Sequence, residues 1–394
     1  MTLPAVLGAP PAFPDGLAFS RPLTPPFDDV MARLKPSYDS GMLTNGPLLH
    51  ELEEQLATTL GVDHVVAVSS CTAGLMLTLQ ALRLRGGVVL PSFTFSATAH
   101  AAAWNGLTPI FAECDRWTLQ LDPIDAGERL AQHGGVAIVA THVFGAPAPI
   151  EALTDVAASH RVPLVFDAAH GLGMLHKGRP VGRYGVAEIF SMSPTKLVAA
   201  GEGGVVATND ASLAATVRMG REYGNGGDYD TRFAGLNARL SEFHAATALC
   251  ALALLDEHVA TRRALAARYI DGLADVAGIR APSVSDDDVA NYKDFTLIFD
   301  AAFGLDRDAV AVALLADGIH TRPYFHPPVH RHRAYAHLPS VDLPITDAIA
   351  SSVLSLPMHA LLSNADVDRV VGVVRALGER ADEISALALA QQAT

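Results

Sequence analysis

VPLVFDAAHGLGMLHKGRPVGRYGVAEIFSMSPTKLVAAGEGGVVATND, Val162 to Asp210, is the stretch that decides the fold. It contains the short apolar runs VPLVF (162–166), EIFSM (188–192) and GGVVATND (203–210), separated by glycine-rich turns. Strands apolar on both faces belong in a parallel sheet covered on either side. Upstream, HVVAV (64–68), GVVLP (87–91) and VAIVA (136–140) repeat the pattern, with helical stretches between them. The reading is an α/β fold whose mostly parallel central sheet is sandwiched by helices and ends, along the chain, with GGVVATND.

Outward from that core the character changes. Residues 1–25 are rich in proline and without periodicity, which predicts a loose arm leading to a first helix near Phe27. Residues 26–250 form the large domain. Past Leu240 an alanine-rich helical stretch runs toward Val276; the strand DFTLIFD (294–300) and helices near 306–316 and 364–378 follow, so residues 251–394 make a smaller C-terminal α+β domain.

Composition narrows the function. The 394 residues carry a formal net charge of -14, which removes any generic attraction to nucleic acid or an anionic membrane. An anionic ligand then needs a local cationic or amide-lined pocket. No apolar run approaches the length of a membrane span, and the proline-broken N-terminus lacks the basic cluster of a signal peptide. Cys71, Cys114 and Cys250 are odd in number and lack metal-ligand spacing, as in a reduced cytoplasmic setting.

Ligands of such sheets lie beyond the carboxyl ends of the parallel strands. Lys196, between a buried strand and a glycine-rich return, is placed for partial desolvation, which lowers an amine's pKa and suits it to Schiff-base formation. Alone it reads as a loop lysine. Asp167 closes VPLVF, where an unpartnered carboxylate is costly, or it caps the next turn. Together they fit pyridoxal 5'-phosphate (PLP), with Lys196 on the aldehyde and Asp167 on the ring nitrogen. Amides of Thr72 and Ala73 at a helix N-terminus, helped by Ser191, suit the phosphate, and Phe95 is placed to stack on the ring or simply to fill core.

Six segments carry a family resemblance: SSCTAGLMLTLQAL (69–82), LPSFTFSATAHAAAWNG (90–106), THVFGAP (141–147), VFDAAHGLG (165–173), FSMSPTKLVAAGEGGVVATND (190–210) and GLNARLSEFHAATAL (235–249). In this order they resemble the DegT/StrS-type sugar aminotransferases, PLP enzymes of the aspartate aminotransferase fold, PLP-dependent transferase fold type I. The resemblance spans roughly residues 25–380. It makes Lys196 the Schiff-base lysine, puts Asp167 on the pyridine nitrogen, His170 near the phenolic oxygen and Phe95 on the ring, and gives the phosphate to Thr72, Ala73 and Ser191. Asn237 reaches the phosphate of the neighbouring subunit, which implies a homodimer with shared active sites. Cys71 stands where the family usually has glycine, and Phe166 where it usually has an acidic residue.

Three lesser signals complete the inventory. Histidines cluster between Tyr324 and His337, but Pro327 and Pro328 forbid the helix that would pair His326 with His330 on a metal, so no metal is expected. The resemblance places this loop at the mouth of the site, with Tyr324 and His330 toward substrate. Arg221, Arg232 and Arg239 flank Gly224–Gly227 and read either as diphosphate-binding charge or as a solvated loop. GLGMLHKG (171–178) lacks the spacing of a dinucleotide loop.

The expectation is a PLP-dependent aminotransferase moving an amino group from glutamate or glutamine to a nucleotide-linked keto-deoxysugar in amino-sugar or natural-product biosynthesis. Residues 21–47, NYKDF (291–295) and TRPYFHPPVH (321–330) look most like members acting on a dTDP-4-keto-6-deoxyhexose. Amination at carbon 3, amination of a cyclitol, and a PLP-fold sensor without turnover are the alternatives.

Overall fold

A computed structural model describes residues 3–392. Its large sheet is built from β1 (His64–Val68), β2 (Gly87–Pro91), β3 (Thr108–Ala112), β4 (Gly135–Thr141), β5 (Leu164–Asp167), β8 (Ala187–Ser191) and β9 (Gly204–Thr208). Between β5 and β8 the chain forms two-residue strands β6 (Leu175–His176) and β7 (Arg179–Pro180), which pair with β11 (Asp288–Val289) as a separate ribbon. The spatial order is β1-β9-β8-β5-β4-β2-β3, and β9 alone runs antiparallel to its neighbours. GGVVATND is thus last along the chain but interior in space. The edge strand β3, TPIFA, escaped the sequence reading because Pro109 interrupts a run begun by an exposed threonine.

Helices cover both faces. α1 (Phe27–Ser40), α2 (Pro47–Leu60) and the helices Pro123–His133, Ile150–His160 and Glu242–Leu252 close one core through residues such as Leu52, Leu130, Leu153 and Leu249. On the other face α3 (Cys71–Ala81), α4 (Ser96–Trp104) and Ala211–Gly220 contribute Leu75, Ala99 and Val217. Local chemistry sets the helix starts. Ser70 Oγ caps α3 on the Ala73 N–H (3.1 Å), and α2 opens with Pro47 against the buried Glu242 carboxylate, which accepts the Leu48 and Leu49 N–H groups at 3.0 Å each. Gly204 lets β9 pass the start of α3, since a Cβ there would lie 2.4 Å from the Cys71 nitrogen.

The smaller domain holds three antiparallel strands in the order β10 (Ile279–Arg280), β12 (Phe295–Phe299) and β13 (Val353–Leu356), packed on helices Leu255–Leu273, Arg307–Ala316 and Asn364–Glu379. Only β12 was legible. β10 has two residues, and β13 continues directly from a helix. The alanine-rich stretch is two helices, broken at Ala253–Leu254: the first packs on α1 and α2, the second on Asn364–Glu379.

The arm is not loose. Ala5 and Ala12 N–H groups donate to the Asp317 carboxylate (3.1 and 3.0 Å), Leu17 bridges to Ile319, and Phe13 is buried in the small-domain core. Burying one phenylalanine contributes about 2–3 kcal/mol, enough with these bonds to dock a segment without periodicity of its own.

Candidate active site

Asp167 ends β5 and is 3% exposed. Its Oδ2 accepts the Thr98 hydroxyl of α4 at 2.7 Å, and its Oδ1 accepts the Ala169 N–H at 3.1 Å with the Cys71 thiol 3.8 Å away. Thr98 continues a hydroxyl chain through Thr94 (2.9 Å) to Thr141 (3.0 Å). Burial pushes the Asp167 carboxyl above its usual range, against the opposing effects of Thr98, Ala169, Lys196 and Cys71. The carboxylate is therefore short of positive charge, which a cation in the cavity would supply.

Lys196 lies in the loop between β8 and β9, facing the same cavity. Burial first, then repulsion from Lys293, lowers its amine to about 8, with Asp294 opposing. His170, after the turn that follows Asp167, is held neutral: burial and the cations of Lys196, Lys293 and Arg262 all lower its pKa. Its Nδ1 is buried without a protein partner, an orphan that a ligand atom would satisfy.

One cavity of about 320 Å³ gathers Thr72, Phe95, Asp167, His170, Ser191, Lys196 and Tyr324. Phe95, 62% exposed, precedes α4 and offers its ring from the rim. Ala73 is set apart, because its N–H is taken by Ser70 Oγ while Thr72 lines the cavity. A larger surface groove of about 880 Å³, near Arg83, Asn105 and Phe233, contains none of these groups.

Other expected residues stand elsewhere. His330 is turned onto Ser92 Oγ (2.6 Å), and burial lowers its pKa. Arg239 pairs with Glu222 at 3.0 Å and lies over the Tyr223 ring. Arg221 is buried against Glu53 (2.6 Å), and Arg232 is bound by Asp228 and Asp230. All three arginines are thus matched by carboxylates of their own chain. Asn237 is exposed outside its own cavity and caps no helix; Ser241 caps Glu242–Leu252. Residues 326–328 are not helical, and among the described residues no three metal ligands converge.

Two features were missed. Thr98 stands four residues after Thr94, a spacing that puts both hydroxyls on one side of a helix start, and that signal was readable. Lys293 and Asp294 had only the family likeness of NYKDF (291–295), which does not tell where they lie in the fold. They reach the cavity because buried Asn291 binds the carbonyls of His170 (2.6 Å) and Leu172 (2.8 Å). Gly145 makes room for Asn291: a Cβ there would lie 1.9 Å from Asn291 Oδ1.

A doubly covered sheet with a buried lysine and a cation-seeking carboxylate at its strand ends defines a transferase of fold type I. The chain belongs to the DegT/DnrJ/EryC1/StrS aminotransferase family, whose profile matches residues 28–375, and it is an aminotransferase. A dTDP-3-amino-3,4,6-trideoxy-alpha-D-glucose transaminase of Streptomyces venezuelae is 35% identical over 90% of this chain and 93% of its own. A dTDP-4-amino-4,6-dideoxy-D-glucose transaminase of Shigella dysenteriae is 30% identical over 90% and 97%. Among solved structures, DesI in the presence of its TDP-sugar product matches with a TM-score of 0.91 and 38% identity, covering 97% of this chain and 98% of that one.

Proposed function

We propose that this aminotransferase uses PLP and moves an amino group from glutamate or glutamine to a nucleotide-linked keto-deoxysugar, a dTDP-4-keto-6-deoxyhexose. The observation that carries the reading is the meeting of buried Lys196, cation-seeking Asp167 and the orphaned His170 Nδ1 in one cavity. These residues fit the cofactor: Lys196 for its aldehyde, Asp167 for its ring nitrogen, His170 for its phenolic oxygen, Thr72 and Ser191 for its phosphate, Phe95 for its face. When bound, PLP supplies an aldehyde that takes up an amino group and a ring that delocalises an electron pair.

The chain's own residues do the rest. Lys196 Nζ, near neutrality by burial, takes a proton and returns it within the cavity. Asp167 holds positive charge in place, and Thr98 with the Ala169 N–H fixes which way its oxygens point. Tyr324 and Phe325 of the small domain limit water at the mouth. Asn237, exposed and away from its own cavity, suits a homodimer in which it serves the partner's phosphate. The sugar is supported by the names of the relatives, which include aminations at carbon 3 and at carbon 4; residues 21–47, 291–295 and 321–330 together favour carbon 4.

The test offers the holoenzyme nucleotide-linked 4-keto and 3-keto sugars and a cyclitol ketone, each with glutamate or glutamine. Products are identified by mass spectrometry and NMR. A 4-amino sugar is expected, a 3-amino sugar or aminocyclitol replaces the substrate, and no amination of any acceptor ends the reading.

A further inference from the structure

A second cavity of about 420 Å³ adjoins the catalytic one, walled by arm residues 18–20 on one side and by Thr195, Lys293, His320, Arg322 and Tyr324 on the other. Thr195, Lys293 and Tyr324 line both cavities, so a ligand reacting at Lys196 can extend from the first into the second.

Its charge is unlike that of the chain. Arg322 has no carboxylate partner among the described residues: its Nη1 donates to the neighbouring Thr321 carbonyl (3.1 Å), and its guanidinium lies 5.8 Å over the Phe19 ring. Lys293, almost fully buried, is paired with Asp294 at 2.8 Å, which leaves Arg322 as the uncompensated cation. In a protein of net charge -14, an arginine without a carboxylate on the wall of a cavity that adjoins the catalytic one is a feature to explain.

The cations stand on rigid supports. Arg322 exchanges backbone bonds with Ser355 of β13 (3.1 and 2.8 Å). Phe19 is fixed by the Met358 N–H on its carbonyl (3.1 Å) and by edge contact with Tyr324. Buried Arg262 donates to the Tyr292 and Lys293 carbonyls (3.2 and 2.9 Å) and so sets where the Lys293 ammonium projects. A ligand would meet charges already in position.

We propose that this side cavity is the subsite for the distal carboxylate of the amino donor, bound by Arg322, and that it selects glutamate over glutamine; this rests on the aminotransferase reading given above. The donor's amine must stand at Lys196, and its α-carboxylate, on the same carbon, stays beside Lys293 at the junction. The distal group, three bonds further along, lies in the second cavity. An ionised carboxylate meets a guanidinium with two parallel charge-assisted bonds, whereas a carboxamide offers one acceptor and turns N–H donors toward a cation.

The test follows the amino-acid half-reaction of the PLP-loaded enzyme by its absorbance, with glutamate and with glutamine, in the wild type, Arg322→Gln and Arg322→Lys. For the wild type, kcat/KM for glutamate exceeds that for glutamine by about tenfold or more, as expected for a fork-to-carboxylate contact. In Arg322→Gln the glutamate KM rises by about tenfold while glutamine shifts little, so the preference collapses, and Arg322→Lys recovers part of it. Equal loss with both donors means a structural role and overturns the assignment, as does a wild type that prefers glutamine. A rise confined to the KM of the keto-sugar nucleotide overturns it too, by giving Arg322 to the diphosphate. No absorbance change with either donor in the wild type strikes the aminotransferase reading itself.

Discussion

The two walls of the catalytic cavity are built on opposite plans. The inner wall, made of strand ends and the starts of α3 and α4, ties Asp167 to Thr98 and Ala169, Thr98 to Thr94 and Thr94 to Thr141, and leaves the buried His170 Nδ1 open. The outer wall, made of the small domain and the arm, leaves groups open: among the described residues Asp294 Oδ2 is buried without a partner and Arg322 has no carboxylate. Groups tied into a network are held rigid, whereas open ones are left for a ligand to satisfy. On the proposed function, the inner wall carries the reaction and the outer wall chooses the substrate.

The sharpest way to break this division is at Lys196. Lys196→Ala should abolish transamination, a loss of at least about three orders of magnitude, as for removal of a nucleophile that is also the proton carrier. Borohydride should fix the cofactor of the wild type to Lys196, read by peptide mass spectrometry. Label on Lys293 would move the chemistry to the outer wall and erase the contrast.

Asp167→Asn comes next. An amide keeps the shape and the Thr98 contact but cannot hold the positive charge, so turnover should fall by about two orders of magnitude while absorbance shows the cofactor retained. Unchanged turnover would show that the inner wall does not supply the electrostatics assigned to it.

A third prediction asks whether the inner wall belongs to one chain. Asn237→Ala should weaken cofactor retention by about tenfold, the cost of a lost hydrogen bond to a charged group. Co-refolded with Lys196→Ala, it should restore activity toward half of wild type, because a shared site collects both lesions in one cavity and leaves the other whole. No recovery would confine Asn237 to its own subunit.

The same division explains what could be read from sequence. Asp167, Ser191 and Lys196 were legible because each borders a doubly apolar strand, and strand ends are where a parallel sheet presents side chains. The antiparallel course of β9 was not, since alternation along a strand does not reveal the direction of its neighbours. Lys293 and Arg322 lie in segments whose local pattern says only strand or loop; the place of Lys293 in the cavity depends on Asn291, 121 residues from the His170 carbonyl it binds, and Arg322 is held by its backbone bonds to Ser355. The arm shows the limit most plainly. Its prolines report no helix and no strand, and its order comes from Asp317, more than 300 residues away.

The smallest expected effect is the most discriminating, because it falls on a residue that touches no ligand. Thr98 donates to Asp167 Oδ2 at 2.7 Å from within α4, and with its proton so committed it accepts from Thr94 at 2.9 Å. Thr98→Val keeps the volume and removes the hydroxyl, while the Ala169 N–H stays on Oδ1 and Thr94 keeps Thr141. Losing one such bond costs about 1–2 kcal/mol, which predicts a fall in kcat of about five- to thirtyfold, less than for Asp167→Asn. The pH dependence carries the sign. The Thr98 bond favours the ionised carboxylate and so lowers the Asp167 pKa against the upward push of burial. Without it the carboxyl titrates at higher pH, and the acid limb of the kcat profile should move upward while the alkaline limb stays. A fall in kcat with both limbs in place would assign Thr98 to packing, and the threonine chain would then belong to the core and not to the chemistry of the inner wall.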